Sequence, residues 1–429
     1  MVQKQKIAFH TLGCKLNYAE TATIASLFDK EKYEQVSFSH QADIYVINTC
    51  SVTEQANKKC RQAISKAVRT SPEAKIAVVG CFAQLKAQEI AKINGVSLVL
   101  GTKEKFNIVK YLEGNALDKI YSCEIDEVTQ YAGSFSVDGR TRSFLKVQDG
   151  CDYNCSYCTI PLARGKSRNP NIDFIINEAQ IIGQKGIKEI ILTGVNIGEF
   201  KTSDGKRFFD LLKKLEEKVD IPRFRISSIE PNLLTDEMID WISQSKKIVP
   251  HFHIPLQSGS DDVLRLMRRR YNTELFSKKI ARIRSVMPDC GIGVDVIVGT
   301  PGETNEYFED CLSFLEKTDF TYLHVFSYSA RENTDAIAIE PKVPETVKSE
   351  RSKRLHELSD HKLSAFYNRQ LGTVHPVLFE QKNNQGYVHG YTNNYIKVEI
   401  PYSKDLINEI KNVELISIQT NGTVFGKIK

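Results

Sequence analysis

Three cysteines fall within eight residues in Cys151-Asp-Tyr-Asn-Cys155-Ser-Tyr-Cys158, a C-x3-C-x2-C spacing on what reads as a loop directly after a strand. Thiolates are soft ligands that select zinc or iron–sulfur clusters. A structural zinc site takes four ligands, usually from two separated pairs. Here the nearest preceding cysteine is Cys123, and no histidine lies between His40 and His251. Three thiolates suit a [4Fe–4S] cluster with one iron left open to a small molecule, since an ordinary cluster takes four cysteines. A zinc site completed from elsewhere in the chain is the alternative.

A second set, Cys14, Cys50 and Cys81, is dispersed in sequence, but each member closes a strand-like run: FHTLGC, YVINTC and AVVGC. If those strands are parallel, the three thiols face one crevice beyond the carboxyl edge of the sheet. That arrangement would make another three-ligand site. Buried free cysteines in strands are the competing explanation. Cys60, Cys123, Cys290 and Cys311 have no partners at ligand spacing and read as core or incidental.

The elements that must position these thiols form three groups. Apolar runs at Ile7–Phe9, Ile44–Ile47, Ile76–Val79 and Leu98–Leu100 alternate with helical patterns at Tyr18–Lys30, Thr53–Val68 and Gln84–Ile93. That alternation predicts an α/β domain with a parallel sheet over residues 1–115. Residues 116–142 read as a linker. A second alternation, over 143–369, predicts strands at Phe144–Val147, Ile190–Leu192, Phe224–Ile229, Phe252–Ile254, Val294–Val298 and Leu323–Phe326. Helices are predicted between them at Ile172–Gln184, Phe208–Lys218 and Tyr307–Glu316. Six βα units make a partial barrel rather than the full eight. Residues 370–429 alternate apolar and polar positions between Gly and Asn, which predicts a small antiparallel β-barrel.

The 429 residues, 41% hydrophobic and 26% charged, fit two or three globular domains and exclude disordered and fibrous classes. Ten cysteines are too few for a disulfide scaffold of this length. The start of the chain lacks the apolar run of a signal peptide, and no stretch has the 18 or so apolar residues that span a bilayer, so a cytoplasmic protein with no membrane partner is expected. A formal charge of +5 permits an anionic partner without requiring one.

The C-x3-C-x2-C loop at the top of the first strand of a partial barrel resembles the radical S-adenosylmethionine (SAM) enzymes. That resemblance implies that the open iron at Cys151, Cys155 and Cys158 holds SAM and cleaves it reductively. Tyr157 matches the aromatic position near the adenine. SAM contacts are implied at Thr193, Gly194 and Asn196 after the second strand, and at Ser228 and Glu230 after the third. Gln257 after the fourth strand, and Gly299 and Pro301 after the fifth, complete the set. Together with the three N-terminal cysteines and a terminal barrel that looks like the RNA-binding TRAM domain, the whole chain resembles the methylthiotransferases. These insert a methylthio group into an unactivated C–H bond, of adenosine 37 in tRNA or of an aspartate in ribosomal protein S12.

Leu12-Gly13-Cys14-Lys15-Leu16-Asn17-Tyr18-Ala19-Glu20 and Asn48-Thr49-Cys50-Ser51-Val52-Thr53 resemble the branch acting on N6-threonylcarbamoyladenosine (t6A). Isopentenyladenosine and S12 are the alternatives within the family, and a non-catalytic zinc-stabilised RNA-binding protein is the alternative outside it. The resemblance implies two [4Fe–4S] clusters, SAM used both as methyl donor and as radical source, an electron donor such as flavodoxin or ferredoxin, and a sulfur source. The partner would be a tRNA anticodon loop, whose single-stranded bases can be splayed out and read. Candidate phosphate contacts are Arg164, Lys166 and Arg168 beside the cysteine loop, and Arg268 and Arg269. Tyr387, Tyr391, Tyr395 and Phe425 are candidate RNA-facing aromatics in the nearly neutral terminal barrel.

Overall fold

The computed structural model describes residues 3–114, 118–137, 141–382 and 386–429. Residues 116, 117 and 138–140 of the expected linker lie outside that set. The chain divides into two compact units. The first comprises Met1–Asp138, Phe144–Asn169 and Ser329–Thr334; the second comprises Gly139–Ser143, Pro170–Tyr328 and Asp335–Lys429.

In the first unit the elements run β1 (Gln5–Thr11), α1 (Lys15–Ser26), β2 (Tyr33–Val36), β3 (Ile44–Thr49), α2 (Glu54–Thr70), β4 (Lys75–Gly80), α3 (Cys81–Leu85), α4 (Ala87–Ala91), β5 (Val96–Leu100), α5 (Ile108–Glu113) and β6 (Ile120–Tyr121). The strands form one parallel sheet in the order β2-β1-β3-β4-β5-β6. All six residues of β3 are buried, as a central strand covered on both faces requires. Tyr45 and Ile47 pack under α2 with Cys60, Ile64 and Ala67, while Ile44 and Val46 pack on the other face with Ile24, Ile108 and Leu112. The side chain of Thr53 accepts the N–H of Ala56 and caps α2. The expected helix over Gln84–Ile93 is instead two short helices, broken at Lys86, whose φ of −137° is not helical. β2 was not expected: its sequence YEQV is polar because it is an exposed edge.

β7 (Arg142–Lys146) leads into the cysteine loop, which ends in α6 (Ile160–Arg164). The second unit continues with α7 (Ile172–Gln184), β8 (Glu189–Thr193), α8 (Phe208–Lys218), β9 (Arg223–Ile226), α9 (Asp236–Gln244), β10 (His251–Gln257), α10 (Asp261–Leu266), α11 (Thr273–Val286), β11 (Gly291–Val298), α12 (Asn305–Lys317) and β12 (Tyr322–Ser327). β8 and β9 are parallel, as are β10, β11 and β12. The Ile229 N–H donates to His253 O at 3.0 Å and joins the two groups of strands. The charged stretch after β12 is one long helix, α13 (Glu345–Gln370).

Five strands close the terminal barrel in the order β13-β14-β15-β17-β16: β13 (Val374–Lys382), β14 (Tyr387–Thr392), β15 (Lys397–Pro401), β16 (Ile410–Ile418) and β17 (Val424–Ile428). The barrel docks on the amino ends of the parallel strands through arginines. Arg223 donates to Pro376 O (2.7 Å) and Tyr391 O (3.1 Å), and Arg225 to Asn393 O (3.0 Å). Buried Glu189 is shared between them, accepting from Arg225 Nε at 2.9 Å and lying 3.7 Å from Arg223 Nη1. Gly291 lets the Asn394 carbonyl approach β11; a Cβ there would overlap it. No helix among the described residues is long and apolar enough to cross a membrane.

Candidate active site

Cys14 follows β1, Cys50 follows β3, and Cys81 opens α3 directly after β4. Strand order reverses between β1 and β3, and the crevice at such a point is where doubly wound sheets bind ligands. Two glycines permit the approach. Gly13 has φ 102°, and a Cβ on it would stand 2.7 Å from Cys50 Cβ and 3.0 Å from its sulfur. Gly80 has φ 98°, and a Cβ would stand 2.6 Å from Thr49 O. Asn17 laces the loops together, its Nδ2 donating to Leu12 O at 2.8 Å and Thr49 O at 3.0 Å. Thr49 Oγ1 donates to Val79 O at 2.6 Å and accepts the Ala83 N–H at 3.3 Å. Burial pushes the Cys50 thiol up to about 11, with Cys81 and Cys14 adding to the rise because three thiolates close together repel.

The second cysteine loop is closed at its base by reciprocal bonds between Asp149 and Arg168, N–H to O at 2.9 and 2.8 Å. Gly150, at φ 73°, fits only without a side chain: a Cβ would stand 2.7 Å from Gly165 O. The Tyr153 N–H points at Cys151 Sγ (3.4 Å) and the Ile160 N–H at Cys158 Sγ (3.5 Å). Main-chain donors aimed at sulfur favour thiolates, the form that ligates iron. Cys155 is buried, while Cys151, Cys158 and Tyr157 are half-buried.

Both thiol sets lie in the first unit, and a buried ionic network runs between them. Glu20 on α1 pairs with Lys105 (2.7 Å), Lys146 (3.3 Å) and Arg164 (3.0 Å), and Asp149 pairs with Lys146, Arg164 and Arg168. Arg164 Nη2 and Cys14 Sγ both donate to Asn17 Oδ1, at 2.7 and 3.9 Å. No member of this network is more than 10% exposed, and four cations share two carboxylates. Buried charge in excess is costly unless an anion compensates it. Burial opposes the Arg164 charge, yet neighbouring Cys81, Glu20 and Asp149 hold its pKa well above the ordinary value. Burial pushes the Lys105 ammonium down. Such an excess of positive charge fits anionic thiolate-held groups at both cysteine sets.

The residues expected to touch SAM lie in the second unit, at or beyond the carboxyl ends of its strands. Thr193 and Asn196 are buried, while Gly194 and Ser228 are half-buried. Gln257 has φ 68°, an uncommon conformation for a side-chain-bearing residue at a strand end. Gly299, at φ 73°, accommodates the Lys348 side chain where a Cβ would clash, and its N–H donates to Glu303; Pro301, two residues on, is buried. Glu230 pairs with Arg269, and burial pushes its carboxyl above the ordinary value.

Several expected RNA contacts need correction. Arg164 is 2% exposed and committed to Glu20, Asp149 and Asn17, so its guanidinium is not available to a phosphate. Arg168 donates to Gln130 O, Arg164 O and Asp149 and serves the loop base. The Arg269 side chain is 3% exposed and paired with Glu230. Lys166 is exposed, and Arg268 is about half exposed and paired with Asp335. Tyr391 and Tyr395 stack on each other at 4.9 Å and lie under Arg142 and Arg225, so they belong to the docking of the terminal barrel. Tyr387 remains exposed. Cys60, Cys290 and Cys311 are core residues. Glu20, Lys105, Lys146 and Asp149 were missed. The available signal was an acid on the buried stripe of α1, between Leu16, Ala19 and Ile24.

Residues 6–101 match a family described as Uncharacterized protein family UPF0004, residues 145–315 the Radical SAM superfamily, and residues 368–429 the TRAM domain. The chain is 39% identical over 424 residues to the threonylcarbamoyladenosine tRNA methylthiotransferase MtaB of Bacillus subtilis (strain 168), a match covering 96% of this chain and 93% of that protein. It is 38% identical over 400 residues to MtaB of Aquifex aeolicus (strain VF5), covering 92% and 96%. To the tRNA-2-methylthio-N(6)-dimethylallyladenosine synthase of Helicobacter pylori (strain J99) it is 33% identical over 425 residues, covering 96% and 97%. Among solved structures it is similar to the radical S-adenosylmethionine methyltransferase TsrM from Kitasatospora setae, with TM-score 0.54 and 13% identity over 76% of this chain and 72% of that one, a likeness of fold alone.

Proposed function

Because the chain belongs to the radical SAM tRNA methylthiotransferases, in the threonylcarbamoyladenosine branch, we propose that it converts N6-threonylcarbamoyladenosine at position 37 of tRNA to the 2-methylthio derivative. SAM and [4Fe–4S] clusters are its cofactors. The observation that carries the choice of nucleoside is the relatives' order: those named for threonylcarbamoyladenosine are 35–39% identical, and those named for dimethylallyladenosine 33–34%.

Cys151, Cys155 and Cys158 hold the cluster that binds SAM, and Cys14, Cys50 and Cys81 hold a second one. When bound, these clusters supply the electron for SAM cleavage and the site for the sulfur to be transferred. The chain's own residues do the positioning. Gly13, Gly80 and Gly150 let the thiol loops close, Asn17 and Thr49 fix them, and the Glu20–Arg164–Asp149 network supplies compensating positive charge between the two sets. Tyr157, Thr193, Gly194, Asn196, Ser228, Glu230, Gln257, Gly299 and Pro301 are the proposed SAM contacts. Lys166 and Arg268 are the proposed phosphate contacts, with an anticodon loop as the RNA element bound. A flavodoxin- or ferredoxin-like donor supplies electrons, a separate source supplies sulfur, and the setting is the cytoplasm. The three functional regions are taken as 1–115, 143–369 and 370–429.

Mass analysis of tRNA nucleosides from a deletion strain tests the reading. Loss of the 2-methylthio derivative of t6A, with that of isopentenyladenosine intact, is expected; the reverse pattern moves the protein to the other branch.

A further inference from the structure

Alternate residues of β10, β11 and β12 divide into an apolar set and a polar one. Phe252, Ile254, Leu256, Val294, Val296 and Leu323 are at most 6% exposed. Between them His253, Asp295 and His324 stay partly open, with side chains 13%, 20% and 48% exposed. Strand register brings the three together: Pro255 pairs with Asp295, and Asp295 with His324. Asp295 Oδ1 stands 2.7 Å from His253 Nε2 and 3.3 Å from His324 Nδ1. One such atom from each residue lies within 4.8 Å of the other two. The layer beneath is filled: Gly293 makes room for the Tyr322 ring, whose hydroxyl is engaged with His251 at 2.9 Å. The opening lies on the other side, toward Phe326, which is 49% exposed. Parallel strands ordinarily carry apolar residues on both faces. Two imidazoles and a carboxylate converging on one face therefore have a chemical use.

Charge and lone pairs select the ligand. Among the described residues, the two imidazoles are the only hydrogen-bond or ion-pair partners of Asp295. The nearby acid Glu230 is paired with Arg269 and adds no positive charge. With neutral imidazoles the group carries one negative charge and offers acceptors, so it suits a cation. Magnesium and calcium take oxygen ligands. Two imidazoles with one carboxylate suit zinc or ferrous iron, in sites that keep a position open. An ion about 2.0–2.2 Å from each ligand sets the ligand atoms roughly 3–4 Å apart. The observed separations bracket that range without moving a strand. The ring proton turned toward Asp295 passes to the other nitrogen of the same ring, since the two neutral tautomers differ only in its place. Ion binding thus replaces N–H···O bonds by coordination with no change in ring charge.

We propose that His253 Nε2, His324 Nδ1 and Asp295 Oδ1 hold one divalent transition-metal ion of the zinc or ferrous class, with a coordination position open on the exposed side of His324. Both cysteine sets belong to the first unit and these three residues to the second, so this ion is additional to the iron of the clusters. The filled site carries one positive charge, and its open position takes water or another oxygen ligand. The assignment stands whichever nucleoside the enzyme modifies.

The test is anaerobic dialysis of cluster-loaded full-length protein against micromolar zinc, followed by zinc and iron analysis. One zinc per chain with unchanged iron is expected. Its X-ray absorption should show nitrogen and oxygen neighbours at about 2.0–2.1 Å. Asp295→Asn and His324→Ala are each expected to weaken zinc binding by more than about tenfold, since loss of even an outer partner of a metal ligand costs about 10–100-fold. His324 is half exposed, so its truncation spares the fold, checked by circular dichroism and by iron content. Equal zinc in the wild type and both variants overturns the proposal, and so does a wild type that takes up no zinc. Zinc with sulfur neighbours at about 2.3 Å also overturns it, by placing the ion on cysteines.

Discussion

Glu20 and Arg164 lie 144 residues apart in the chain and meet as a forked ion pair, Nη1 to Oε1 at 3.0 Å and Nη2 to Oε2 at 3.2 Å. Glu20 sits on the helix that follows Cys14, and Arg164 ends the helix that follows Cys158. The pair therefore fixes two thiol loops from distant parts of the sequence in one rigid relation, through a planar fork that lysine could not reproduce.

Removing one partner from a buried ionic network leaves its charge uncompensated. Glu20→Gln is expected to lower unfolding stability by about 3–5 kcal/mol, read from urea midpoints of the metal-free protein. Burial alone would raise the Glu20 carboxyl, but Arg164, Lys105 and Lys146 outweigh it, and Asp149 is held low in the same way. Folded-state values below the ordinary 4.5 and 3.8 give stability that is fully present above those values and lost as pH falls beneath them. The wild-type midpoint should thus drop more steeply than that of Glu20→Gln on acidification below about pH 5.

The two cysteine sets should be separable by substitution. Cys151→Ala is expected to abolish SAM cleavage, whereas Cys50→Ala keeps cleavage and stops sulfur insertion. Anaerobic iron analysis should give about eight irons per chain in the wild type and about four in each variant. Undiminished methylthiolation by Cys50→Ala would remove the N-terminal set from the reaction.

Gly150→Ala is a backbone test of the second loop. Its φ of 73° and the close Gly165 carbonyl leave no room for a methyl group. Strain of about 1–3 kcal/mol should displace Cys151. The expected outcome is a protein that still folds, judged by circular dichroism, but retains about half the iron.

Lys166 is exposed, and Arg269 is not. Lys166→Glu is therefore expected to weaken tRNA binding evenly across tRNA species and to reduce the salt slope of log K by about one. Arg269→Glu places a second carboxylate against Glu230 and should cost stability first. A salt slope unchanged in Lys166→Glu would place the phosphate contact elsewhere.

Much of the architecture was legible because it is periodic. Ile172–Gln184 and Phe208–Lys218 form helices over the expected residues, and the predicted strand cores all lie within or overlap observed strands. The thiol crevice was legible because a cysteine directly after a parallel strand has only one place to go. Charge pairing was not. Arg164-Gly165-Lys166-Ser167-Arg168 reads as a basic surface run, yet two of its three cations turn inward to acids supplied by Glu20 and Asp149. The His253–Asp295–His324 cluster was equally hidden. Its members come from three strands, and only the register between those strands brings them together.

Arg223 and Arg225 grip the terminal barrel by the carbonyl oxygens of Pro376, Tyr391, Thr392 and Asn393. Main-chain carbonyls are the same whatever side chain they carry. The joint therefore reads the path of the loop more than its composition, and outward-facing residues of the barrel can drift without loosening it. The attachment is inherited with the backbone, and the barrel's outer surface is free to change on top of it.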